Sequence, residues 1–131
     1  MGFLSKLFGK GDAKADDDAP VAPTAVNLEV RRAQLAELSA ALTALRVAML
    51  EPGNPLDNPG WKGRAEDFGA ARVDIDRLSG RTFGRDDMYE ELCGVRPLYR
   101  GTAPEGYAHL AAHNQRVIDA LDALYAPVAG E

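Results

Sequence analysis

His109 and His113 stand four residues apart in a stretch that reads as helix, so both imidazoles can face one point. That spacing suits two ligands of a metal ion. A metalloprotease helix would carry a glutamate directly after the first histidine, and this chain has Leu110 there. The chain holds no further histidine, so a third ligand would have to be an Asp or Glu from another helix. Boundary histidines making ordinary hydrogen bonds are the simpler reading, and no metal or other cofactor is expected. Cys93 is the only cysteine, which excludes an internal disulfide. Beside Leu92 it reads as a small buried hydrophobe, not as a nucleophile. Asp74 with Asp76, and Glu90 with Glu91, point to different sides of a helix and make poor carboxylate pairs. Gly60 to Gly63 lacks the Lys-Ser/Thr ending of a phosphate-binding loop. No catalytic residue is assigned, and a non-enzyme is the expectation.

The element that must position everything else is Val26 to Glu51. Leu28, Leu35, Leu38, Leu42, Leu45 and Met49 recur at a/d spacing and form one stripe of a helix. Ala fills much of the remainder, Asn27 or else Thr24 is the candidate N-cap, and Pro52-Gly53 ends the run. Residues 51–63 carry three prolines and several turn formers and read as neither helix nor strand. Leu56 and Trp61 are the large apolar groups of that loop. They pin it to the domain, or else form an interaction loop with Trp61 at its tip.

A second helix is expected over Arg64 to Ser79, with Phe68, Ala71, Ile75 and Leu78 as its seam, although Val73 and Ile75 alternate with charges and Arg72 to Leu78 also reads as a strand. A short helix starts at Asp86 or Asp87 and closes at Gly94. Thr102 and Glu105 match a capping box and open a third main helix that runs to Ala126. Asn114 lies on its apolar seam and needs a hydrogen-bond partner if buried. The fold class is therefore all-α: a small bundle of three main helices plus a short fourth. The first and third helices are expected to run antiparallel, with the second in the remaining groove.

The N-terminus carries a separate signal. On a helix, Phe3, Leu4, Leu7 and Phe8 fall on one arc and Lys6 and Lys10 on the other. Residues 1–10 thus read as a flexible amphipathic arm that binds an anionic membrane surface or a protein groove. Residues 11–25, with Asp16 to Asp18 and two prolines, read as a linker. Residues 26–126 form the bundle domain and 127–131 a tail. The chain has 131 residues and a net charge of −5, which argues against nucleic acid as a partner. No stretch approaches a membrane span. Abundant Ala and Gly, with Arg over Lys, fit a bacterial genome rich in G and C.

These readings order three functions. The first is a cytoplasmic interaction or adaptor protein, peripheral at the inner face of a membrane and recruited through residues 1–10. The second is an oligomerising helical subunit whose N-terminal segment docks on a protein. The third is a metal-dependent helical-bundle enzyme that uses His109 and His113.

Overall fold

The computed structural model describes residues 25–52 and 59–131. Four α-helices make up the described part: α1 (Leu28–Met49), α2 (Pro59–Ser79), α3 (Arg85–Leu92) and α4 (Ala111–Tyr125). The all-α fold expected from the periodicity is the fold observed, and no strand occurs among the described residues. The arm expected at residues 1–10 and the linker beyond it lie outside the described residues.

Helix α1 begins as its sequence implies. Asn27 Oδ1 accepts from Val30 N at 3.2 Å, which satisfies one of the free N–H groups of the first turn. Its 22 residues span about 33 Å. The stripe of Leu35, Leu38, Leu42, Leu45 and Met49 is almost wholly removed from solvent. Each such side chain contributes roughly 1.5–3 kcal/mol on burial.

Two helices share that stripe. Helix α2 lies along one side of α1 and α4 along the other. Both run antiparallel to it. At one end Arg32 of α1 donates to Ser79 O and Arg81 O past the end of α2, and at the other Trp61 of α2 meets Met49. Likewise Arg31 reaches the last carbonyls of α4, while Glu37 pairs with Arg116 one turn into it. Phe68, Ile75 and Leu78 of α2, and Val117, Leu121 and Leu124 of α4, complete the core. Gly69 permits a close approach between α1 and α2, since a Cβ there would sit 3.0 Å from Arg46 Nε.

Two boundaries differ from expectation. Helix α2 starts at Pro59, five residues before Arg64, so Trp61 belongs to a first helical turn and not to a loop. Proline suits that place because it has no N–H to lose and its φ is already helical. The third main helix starts late. The Thr102 to Glu105 capping box does not open it. Gly106 takes a φ of 87° and turns the chain, and a 3₁₀ turn over Ala108–Leu110 precedes α4. Residues 127–131 follow as the expected tail. They fold back so that Glu131 meets Arg31.

Among the described residues Arg31 is the one charged residue buried in the core, at 1% exposure. Its Nε and Nη2 grip the Glu131 carboxylate at 2.8 and 2.6 Å. Asn27 N adds a third donor at 2.9 Å. The rest of the guanidinium donates to Gln34 Oε1, Leu124 O and Ala126 O, all within 3.1 Å. Unpaired, such a charge would be strongly destabilising; with every donor used it becomes a clasp.

The clasp gives a prediction. Hydrogen bonds from Arg31 hold the Glu131 carboxyl below the ordinary carboxylate range. Its contribution is therefore fully present above the unfolded carboxylate value and is lost as pH falls through the lower folded value. Thermal melts of Glu131→Gln should show a loss of about 3 kcal/mol near neutral pH and a shallower acid slope than the parent. A variant with unchanged stability at neutral pH would show that the clasp does not hold the fold.

Candidate functional site

The residues singled out for chemistry do not converge. His109 is exposed on the 3₁₀ turn, and His113 is half-buried in the first turn of α4. The junction between the two helix types breaks the even face that a continuous helix would give the pair. No group of three or more His, Cys, Asp or Glu side chains able to hold a metal occurs among the described residues. Cys93 is exposed at the C-cap of α3, contrary to the buried position expected for it.

Trp61 is not an exposed binding tip. It is only 6% exposed, and its Nε1 donates to Met49 O at 2.7 Å. That bond occupies one carbonyl at the end of α1, where helix carbonyls lack internal partners. The Trp61 ring also meets Tyr107 edge-on, with centroids 5.5 Å apart, and Tyr107 meets Tyr99 at 6.0 Å. The proposed loop partner Leu56 and the arm residues Phe3, Leu4, Lys6, Leu7, Phe8 and Lys10 lie outside the described residues.

Asn114 is the polar residue on the α4 seam, and its partner is backbone. Its Oδ1 accepts from Leu98 N at 2.6 Å, and its Nδ2 donates to Tyr99 O at 2.9 Å. The amide thus acts like a short strand partner for the non-helical segment after α3. Arg64 Nη2 holds the same segment through Pro97 O at 3.0 Å. These ties fasten the non-helical segment to α2 and α4 through Pro97, Leu98 and Tyr99.

Among the described residues, the surface features open to ligands include the following three. Between α1 and α4 lies a groove of about 450 Å³, with Val30, Ala33, Ala120 and Ala123 among its lining and Glu29 and Glu37 at its rim. Glu37 is engaged by Arg116 at 2.7 Å, and this hydrogen bond holds its carboxyl below the ordinary range. The second feature is the outward face of α1. Ala33, Ala36, Ala40, Thr43, Val47 and Leu50 are all exposed on it. The third is a pocket of about 270 Å³ beside the Arg31 clasp. It is lined by Arg31, Arg85, Tyr89, Tyr125 and residues of the returning segment. Tyr89 and Tyr125 stack there with centroids 5.5 Å apart. Burial, and the neighbouring Cys93 and Tyr89, push the Tyr125 phenol above its ordinary value, so it stays protonated at neutral pH.

No family model, curated protein or solved structure matches this chain. Within the described residues, no helix is long and apolar enough to cross a membrane.

Asn114 carries the prediction from this geometry. Asn114→Leu removes the partners of Leu98 N and Tyr99 O while keeping an apolar seam. Chemical denaturation should register a loss of about 1–3 kcal/mol, the usual effect of stranding buried backbone groups. Hydrogen exchange at the Leu98 amide should accelerate more than exchange at the centre of α1. Equal protection in parent and variant would mean that the amide is not what orders the segment.

Proposed function

We propose that this chain is a non-enzymatic interaction protein, peripheral at the inner face of a membrane, which an amphipathic segment at residues 1–10 recruits to an anionic surface. The observation that carries the reading is the outward face of α1. Core formation uses the Leu and Met stripe, yet the opposite face still exposes apolar groups, with Val47 at 54% and Leu50 at 43%. An apolar helix face left in solvent suits contact with a partner better than it suits chemistry. The arm adds attachment. Phe3, Leu4, Leu7 and Phe8 would each gain roughly 1.5–3 kcal/mol if fully buried, less the cost of ordering the segment. Lys6 and Lys10 would add about 1 kcal/mol each at an anionic surface. The sum describes reversible attachment that leaves the helical domain free to meet its partner.

Cosedimentation with vesicles containing anionic lipid tests this. The chain should pellet with them, weaken as salt rises, and stay in solution after Phe8→Asp or deletion of residues 2–10. Both variants should melt like the parent. Failure of the intact chain to bind, together with a lower melting temperature for the deletion, would assign the arm to the fold or to a protein partner instead.

A second reading, an oligomerising helical subunit, is favoured by a specific property of the α1 face. The exposed positions 33, 36, 40, 43, 47 and 50 are spaced identically in either direction. A second copy laid antiparallel on this face would set Leu50 against Ala33 and Val47 against Ala36, large against small at both ends. Sedimentation velocity should then show a dimer whose population rises with concentration and falls after Ala40→Glu. A monomer at every concentration accessible to the measurement would remove this reading.

A further inference from the structure

Beyond that reading, the corner next to the Arg31 clasp has the composition of a ligand site. The clasp itself displays what the corner recognises, because a carboxylate already lies in the fork of Arg31 with a backbone N–H as third donor. Planar guanidinium forks match carboxylates in this bidentate way. The charge of Arg31 is met by Glu131. That leaves Arg85 as the unmatched charge on the pocket lining, and its side chain makes no hydrogen bond or ion pair among the described residues. Arg85 is also the first residue of α3, where a cation opposes the helix dipole. An anion beside it would relieve that opposition.

The remaining lining is mixed: two tyrosines, Pro127 and Val128, with the Arg31-bound Glu131 carboxylate beside them. Tyr89 lies four residues after Arg85, on the same face of α3, and stacks on Tyr125. Tyr125 is nonetheless 48% exposed, so a further surface of the pair is open. Pro127 and Val128 close another side. At about 270 Å³ the pocket is slightly smaller than the sites that hold drug-sized molecules.

We infer that this pocket binds a small carboxylate with a flat apolar body, its acid group on Arg85 and its ring against Tyr89 and Tyr125. The charged end supplies orientation through Arg85. The tyrosines supply contact area, since aromatic rings pack well edge-on or offset. A ligand of this size binds in about the millimolar range, given the usual yield per atom.

Benzoate titrated into the full chain, followed by amide chemical shifts, is the test. Saturable shifts should centre on Arg85, Tyr89 and Tyr125. Arg85→Gln should weaken binding about tenfold or more, the loss expected when a charge-assisted hydrogen bond is removed. Benzamide, which has the same shape without the charge, should bind weaker by a similar factor. Tyr125→Ala, at an exposed position, should weaken benzoate while leaving the melting temperature near that of the parent. Three results would overturn the proposal. One is the absence of saturable shifts at these residues, and another is equal binding of benzoate and benzamide. The third is inorganic phosphate competing as well as benzoate does, which would reduce the pocket to a general anion site.

Discussion

The guanidinium of Arg31 sits where three parts of the chain meet: the first turns of α1, the last turn of α4, and the segment returning from Pro127 to Glu131. Each part leaves backbone groups that its own helix cannot satisfy. Helix α4 ends with free carbonyls at Leu124 and Ala126, and Arg31 donates to both. The entry to α1 leaves Asn27 N free, and Glu131 accepts from it. One ion pair therefore closes two helix ends at once. The geometry also explains how so small a core tolerates a charge. Every donor is used, so burial strengthens the attraction instead of leaving an unpaired ion.

From that corner outward, α1 governs the architecture. Its inner stripe is shared by α2 and α4, and both neighbours run opposite to it. Among the described residues this division buries the Leu and Met side chains and leaves no helix on the far side of α1. A fourth long helix would have covered that side and made a closed bundle. Instead the short α3 packs against α2, and its Tyr89 reaches Tyr125 at the end of α4. Within the described residues, the exposed face of α1 and the tyrosine pocket thus arise from one cause, a core built with fewer long helices than its central helix has faces.

The connections follow a different logic from the helices. Residues 95–107 hold no helix of their own, and their order comes from side chains that imitate backbone partners. Asn114 does this for Leu98 and Tyr99, and Arg64 does it for Pro97. Trp61, Tyr107 and Tyr99 form an aromatic row over the same stretch. Polar groups on seams act here as positioning devices for loops, which fits a molecule whose histidines and cysteine lie apart and toward the surface.

The sequence by itself determined the helices and their inward faces. Apolar side chains at steps of three and four can be buried only on a helix, and that rule needs no knowledge of neighbours. It also placed Asn27 as a cap and marked Asn114 as a polar group needing a partner, because both follow from local bonding capacity. The clasp was half legible. The seven-residue gap between Leu28 and Leu35 is filled in register by Arg31, so an inward position was readable there. Its partner, 100 positions away at Glu131, was not. Tertiary structure alone decided the start of α2 at Pro59, the late start of α4 and the outward turn of Cys93. A proline-rich loop and a helical first turn share the same residues, and a capping box competes with a glycine turn at Gly106. In each case local preferences differ by about 1 kcal/mol, which packing against α1 readily outweighs.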